Sequence, residues 1–486
     1  MKVENLSRGQ VLSNTIWKFL ESAGVHILQL IVTIILARLL SPDDYGLMAI
    51  VLVVITFLGL FVNSGISSYL VYMKDIKKQD FLTALLFNVL LSVALVFFLF
   101  LFSDSIANYY NSPILSSLIR AMAIILPFNA ISSVYNAYAM KMSLFKTLFL
   151  RNIIALPISA IIALSLAFTG WGVWALVLYQ ISYRLLLSII IVATIKIKID
   201  GEWRLNGQVV APMLRYGGFT FLSSFVAFIS DSISDLLIGK KISTEQLGYY
   251  NRGFTFPNVF MSVINTVLAE ALFPAFASYN SNIEELKDKS RKTLRLLYYA
   301  TFPLLFGLLA CAEPLVISLL SEKWAQAIPV IQLYCLFFCA IPFLQTMSQV
   351  YLAAGHVKLR SLGEVVKMIS TVILLFCFID YGILAVVFAR ILVNVILVVY
   401  SMIVNRVTMK YCFSEFFKDI TPPLLLSLLM LVAIYPISYL PTNYFVIIIM
   451  QFVFGTSIYY LVGKRLKVKE IEEMTSIFVS KFQKRH

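Results

Sequence analysis

The chain has little of what a water-soluble globular protein relies on. Only 13% of its 486 residues are charged, against roughly 25% in ordinary soluble domains. Histidine occurs three times and cysteine five times. Cys311, Cys335, Cys339, Cys377 and Cys412 form no CxxC pair and no metal pattern with histidine, so they read as small packing residues. No metal or cofactor is expected. There is no GxxxxGK[ST] loop, so the chain does not cradle ATP. HExxH, GxSxG and a long loop with paired carboxylates are also missing, which argues against a membrane-embedded polymerase or glycan ligase. No cleavable signal peptide is expected, because the first apolar segment is too long for a signal h-region.

Apolar residues dominate, at 60% of the chain. They fall into fourteen spans: 13–37, 46–72, 81–103, 114–139, 148–168, 171–195, 216–239, 247–278, 296–320, 326–354, 361–379, 382–405, 420–440 and 443–463. A helix of about 20 residues crosses the hydrocarbon of a bilayer. The spans lack the alternation of a barrel strand, so helices are required. The expected class is an all-α polytopic membrane protein.

The basic residues give orientation. With the N-terminus placed inside, thirty of the 39 Lys and Arg residues fall in inside segments and four, Arg38, Lys240, Lys241 and Lys323, in outside connections. Short cytoplasmic loops retain cations during insertion, so both termini are expected in the cytoplasm. Cations scattered over many loops do not make a nucleic-acid footprint. The tail from Lys464 to His486 mixes cations with Ile471, Met474, Ile477, Phe478 and Phe482. It reads equally as an interfacial amphipathic helix or as a disordered basic tail.

The chain also repeats itself. Ser41-Pro42-Asp43-Asp44-Tyr45-Gly46 and Ser243-Thr244-Glu245-Gln246-Leu247-Gly248 each place a serine before an acidic turn, with glycine five residues on. Serine at such a position caps a helix N-terminus, acidic residues suit its positive end, and Pro42 fits the first helical position. A weaker echo links Tyr138-Ala139 with Tyr351-Leu352. The expected organisation is two parallel six-helix lobes, 1–200 and 201–410, two additional helices in 411–463, and a basic cytoplasmic tail, 464–486.

Ionisable residues inside spans are rare and usually face a cavity or a partner. The cations are Lys18, Arg120, Arg184, Arg252 and Arg390. Arg120, Arg252 and Arg390 either snorkel to the interface or line a shared polar cavity; five cations in five spans favour the cavity. Among the acids, Glu21 shares a helix face with Lys18. Asp231 and Asp235, four apart, form an ion site or pair with Arg252. Glu21, Asp231 and Asp235 are the ion-coupling candidates. His26 reads as a packing or cavity residue rather than a proton switch. Trp17, Asn63, Tyr135 and Asn136 could line a sugar-sized cavity or serve in packing.

The segment Leu36-Ala37-Arg38-Leu39-Leu40-Ser41-Pro42-Asp43-Asp44-Tyr45-Gly46-Leu47 closely resembles the LARLLSPxDYG signature of Wzx-type polysaccharide flippases, in the multidrug/oligosaccharidyl-lipid/polysaccharide (MOP) exporter superfamily. Leu247-Gly248-Tyr249-Tyr250-Asn251-Arg252-Gly253 is similar to a second signature, LGYYxRA, with Gly253 in place of alanine. The resemblance implies alternating-access flipping of an undecaprenyl-diphosphate-linked oligosaccharide from the cytoplasmic to the outer leaflet of a bacterial inner membrane, for surface polysaccharide biosynthesis. It implies membrane lipids as partners, with polymerase and chain-length machinery as further candidates. Arg252 is then the leading substrate-binding candidate, followed by Lys18, Arg120 and Arg184, since guanidinium groups can replace the hydration of a diphosphate. A cation-coupled drug antiporter of the same superfamily would share the fold but would favour an acidic cavity.

Overall fold

The computed structural model describes residues 24–25, 28–63, 66–73, 77–195, 206–277, 282–466, 468 and 470. No strand occurs among them. In chain order the helices are α1 (Leu28–Leu39), α2 (Pro42–Asn63), α3 (Ile66–Tyr72), α4 (Lys78–Tyr109), α5 (Ile114–Ala123), α6 (Ile125–Lys141), α7 (Phe145–Phe168), α8 (Val173–Thr194), α9 (Gly207–Lys241), α10 (Thr244–Ala277), α11 (Ile283–Leu319), α12 (Ala327–Phe338), α13 (Ile341–Ala353), α14 (Val357–Phe378), α15 (Ile383–Thr408), α16 (Phe413–Ile434) and α17 (Tyr444–Arg465). Among the described residues, twelve candidate spans are long and apolar enough to cross a membrane, with α5–α6 and α12–α13 each counting as one. The protein is a multi-pass membrane protein.

The repeated serine motifs do start helices. At α2, Ser41 N donates to Asp44 Oδ2 at 2.9 Å and Asp44 N donates back to Ser41 Oγ at 3.2 Å, a reciprocal cap. At α10, Gln246 N donates to Ser243 Oγ at 3.1 Å. Asparagines begin three more helices: Asn206 accepts from Gln208 N, Asn282 from Glu285 N and Asn443 from Phe445 N. The fourth and tenth expected spans are both broken, after Ala123 and Phe338. Each resumes with a proline in its first turn, Pro127 and Pro342, where the absent N–H leaves no helical bond unmade.

The helices pack into two compact units, Met1–Gly248 and Tyr249–His486. In the first, α2 is central and packs against α5, α6, α8 and α9, while α7 lies along α8. In the second, the long α11 is central and packs against α12, α13, α16 and α17; α14 pairs with α15. The core of the second unit is rich in aromatic rings, among them Tyr298, Phe302, Phe306, Phe343 and Phe416.

The two serine motifs meet inside the first unit. A Cβ on Gly248 would lie 1.9 Å from the Pro42 carbonyl oxygen, so only glycine allows the backbones this close. Thr244 Oγ1 also donates to Asp43 Oδ1 across the crossing.

Candidate functional site

A cavity of about 280 Å³ opens inside the first unit, between α2, α5, α6, α7 and α8. Its polar lining comprises Thr56, Asn63, Asn129, Ser132, Ser133, Asn136, Gln180, Arg151 and Arg184. No carboxylate lies among its sixteen lining residues. The polar residues come mainly from α2, α6 and α8, with Arg151 from α7. On α6, Asn129, Ser132, Ser133 and Asn136 recur at helical spacing, so one face carries four hydrogen-bonding side chains.

The two arginines differ in setting. Arg151 is 7% exposed, and its guanidinium donates to Asn136 Oδ1. The neighbouring Asn152 is fixed by Leu148 O and by the Tyr183 hydroxyl, at 3.0 Å each, which steadies this turn of α7. Arg184 is exposed and lies 5.8 Å from the centroid of the Tyr183 ring. Tyr183 in turn stacks on Tyr179 with an interplanar angle of 7°. The wall thus offers two cationic forks and a set of neutral donors and acceptors, which is the chemistry that holds an anion or a polyhydroxylated ring.

Of the residues singled out in the sequence, Arg184, Asn63 and Asn136 line this cavity. Tyr135 does not; it is buried against Phe81 in the core. Arg120 is held elsewhere, with Nε donating to Ser103 Oγ at 2.7 Å and Nη2 paired with Asp104 at 2.6 Å. Asp231 and Asp235 lie on α9, outside the cavity lining, with Asp235 close enough to influence Tyr110. Arg252 lies half-buried on α10, in the second unit. Arg390 donates to the Tyr250 hydroxyl at 3.2 Å and lies 5.3 Å from the Phe337 ring centroid. Trp17, Lys18, Glu21 and His26 lie outside the described residues. Arg151 escaped the sequence reading because its place in the first turn of a span made it look like one more loop cation.

A second feature also went unread. On α11, Arg291 binds Asp419 through Nε (2.8 Å) and Nη2 (3.1 Å), and Glu415 through Nη1 (2.8 Å). Arg295 adds a contact to Asp419 at 3.2 Å, and Lys287 one to Glu415 at 2.9 Å. Tyr411 donates to Asp419 at 3.0 Å. Burial, then the Asp419 charge, raises the Tyr411 hydroxyl well above its ordinary pKa, so it stays a donor. This knot fastens α16 to α11. The second unit also holds a cavity of about 70 Å³ lined by Tyr351, Arg360, Glu364, Lys367 and Tyr400, of mixed charge. No cluster with the donor set of a metal site occurs among the described residues.

Bundled apolar helices around a cationic, hydrogen-bonding cavity define a multi-pass transporter fold. Its backbone superimposes on "Lipid II flippase MurJ, inward closed conformation" with a TM-score of 0.75, at 18% identity, over 95% of this chain and 99% of that one. The chain belongs to the family described as "Polysaccharide biosynthesis protein", which matches residues 35–329. It is 24% identical to the succinoglycan biosynthesis transport protein ExoT of Rhizobium meliloti, over 67% of this chain and 66% of that one. It is 22% identical to the teichuronic acid biosynthesis protein TuaB of Bacillus subtilis, over 90% of each.

Proposed function

We propose that this protein is a flippase that carries a lipid-diphosphate-linked oligosaccharide from the cytoplasmic to the outer leaflet by alternating access, for surface polysaccharide biosynthesis. The observation that carries the reading is the first unit's cavity, where Arg151 and Arg184 stand among amides and hydroxyls with no carboxylate in the lining. Guanidinium forks substitute for the hydration of phosphate, and side-chain amides match sugar hydroxyls in both donor and acceptor roles. The family match and the relatives in succinoglycan and teichuronic acid biosynthesis support a saccharide cargo. A cation-coupled drug antiporter would be better served by an acidic, apolar cavity.

In this reading the protein resides in a bacterial cytoplasmic membrane with both termini inside. Residues 1–200 and 201–410 act as the two lobes. The lipid is undecaprenyl diphosphate, and the chain works with polymerase and chain-length machinery rather than as an enzyme. Arg252, in the second family-like signature, is the leading candidate for the diphosphate, and Lys18, Arg120 and Arg184 are the further substrate-binding candidates; Asp231, Asp235 and Glu21 are the candidates for ion coupling. The test is the Arg252→Ala variant at wild-type abundance. Polymer export should stop, the lipid-linked intermediate should accumulate on the inner leaflet, and Arg252→Lys should restore export only in part. Normal export by Arg252→Ala would remove Arg252 from the site. If loss of the whole protein left no lipid-linked saccharide behind, the flippase reading would fall.

A further inference from the structure

We infer that the small cleft between α13, α14 and α15 in the second unit binds the zwitterionic headgroup of phosphatidylethanolamine, with Arg360 on the phosphate and Glu364 on the ammonium. The inference concerns a lipid of the surrounding bilayer, not the cargo, and does not rest on the flippase reading. Three observations on the cleft carry it.

The first is a stripe of charge. Arg360, Glu364 and Lys367 recur at helical spacing on α14, and all three line this cleft. At 1.5 Å of rise per residue, Glu364 lies about 10 Å and Lys367 about 15 Å along the helix from Val357. Both belong to the candidate span Val357–Tyr381, where an ionisable side chain marks a cavity or a partner. Among the described residues, neither Arg360 nor Glu364 makes a side-chain hydrogen bond or ion pair. The first turn of α14 contains no acid, and His356 at its N-cap makes no side-chain capping bond. Lys358 and Arg360 thus stand at the positive end of the helix, an arrangement that favours an incoming phosphate.

The second is the build of the cleft. Tyr400 on α15 donates through its hydroxyl to Leu359 O at 2.7 Å, which lays its ring across α14. A Cβ on Gly363 would lie 3.2 Å from Tyr400 Cε1, so the glycine lets the ring settle there. The cleft holds about 70 Å³. That is several times the roughly 10–15 Å³ one water needs, and far below the roughly 300–1,000 Å³ of a small-ligand pocket. It admits an end group whose bulk stays outside. Leu362, Ile369 and Ile373 on α14 are exposed, and only 17% of the helix's apolar stretch is buried. Acyl chains therefore have a surface to lie on while the headgroup enters the cleft.

The third is the carboxylate. A site for an anionic lipid or a diphosphate is best built from cations alone, because a carboxylate repels added negative charge. Here Glu364 stands one helical turn from Arg360, and residues four apart on a helix surface are about 5–6 Å apart. A phosphoethanolamine group carries its phosphate and its ammonium two carbons apart, so its two ends meet the two side chains. The guanidinium fork takes the phosphate. A primary ammonium offers three N–H donors to the carboxylate, and a trimethylated one offers none.

The test uses purified full-length protein in detergent, with lipid binding measured by native mass spectrometry. Four probes share the same acyl chains: phosphatidylethanolamine, its N,N-dimethyl form, phosphatidylcholine and phosphatidylglycerol. A polyprenyl diphosphate is the fifth. Wild-type protein should bind phosphatidylethanolamine about tenfold more tightly than phosphatidylcholine or phosphatidylglycerol, the worth of one charge-assisted hydrogen bond. The dimethyl lipid should fall between. This methylation series is read on wild-type protein and so does not depend on a variant's folding. Glu364→Gln should bring the ratios towards one, and Arg360→Gln should weaken all four phospholipids. Equal binding of the four by wild-type protein overturns the assignment, as does an unchanged preference in Glu364→Gln. Tighter binding of phosphatidylglycerol or of the polyprenyl diphosphate overturns it too, by making the cleft a plain anion site. None of these outcomes touches the flippase reading, which stands or falls on export and on the lipid-linked intermediate.

Discussion

A Cβ on Gly46 would lie 1.7 Å from the carbonyl oxygen of Thr244. The mirror contact, Gly248 against the Pro42 carbonyl, obeys the same rule: the glycine five residues after each capping serine receives the carbonyl of the residue just after the other serine. The two signatures therefore interlock through their backbones, and the glycine in each is required by the other. Gly46→Ala and Gly248→Ala should each lower thermal stability in detergent by about 3 kcal/mol, at the upper end of overpacking costs, because backbone cannot step aside. Gly307→Ala, where the nearest atom is Met430 Cε at 3.9 Å, is the control and should change little. Wild-type melting of Gly46→Ala would mean that the two backbones do not need glycine at their crossing.

The cap itself is a smaller matter. Ser41 Oγ donates to Asp44 Oδ2 at 2.7 Å and accepts from the Asp44 amide. Ser41→Ala should cost roughly 1 kcal/mol, the usual worth of an N-cap. Protein abundance should fall while transport per molecule is kept. Full abundance with no transport would instead make Ser41 part of the conformational machinery.

Apolar length marked the helices well, and the serine caps fixed the starts of α2 and α10, because both signals are local. Facing was far less legible. A soluble helix announces its buried side by periodicity, whereas a membrane helix is apolar towards lipid and towards its neighbours alike. Arg184 stood out because it is a charge in mid-span. Arg151 and Arg291 did not, because cations near the end of a span expected to face the cytoplasm are what the positive-inside pattern alone accounts for. Only tertiary packing reveals that Arg151 lines a cavity and that Arg291 meets Asp419 and Glu415.

The Arg291–Asp419 pair leads to a contrast between two salt bridges. The Asp419 side chain is 2% exposed and receives two arginines and the Tyr411 hydroxyl. Asp419→Ala leaves those donors facing a buried gap and should cost about 3–5 kcal/mol. Asp104, which pairs with Arg120, is 66% exposed, and Asp104→Ala should leave the melting temperature almost unchanged, because solvent screens the pair. Thermal unfolding of the purified variants measures both. Similar losses at the two sites would show that burial does not set the worth of these pairs.

Gly253 is where this chain departs from the LGYYxRA-like signature, and the second unit supplies the reason. A Cβ at Gly253 would lie 2.3 Å from Val330 Cγ1 and 2.7 Å from Val330 Cβ, so α10 and α12 approach too closely for alanine while valine stands at 330. Glycine at 253 and a β-branched residue at 330 are thus one paired choice. Gly253→Ala should destabilise the protein by about 1–3 kcal/mol, as overpacking does. It should also displace the adjacent Arg252 and reduce export. Val330→Ala opens the space the new methyl needs, so the double variant should melt above Gly253→Ala alone, with a coupling of about 1 kcal/mol or more. Export should recover in parallel if Arg252 has regained its place. Additive losses in the double variant would show that the two positions do not share the space the structure gives them.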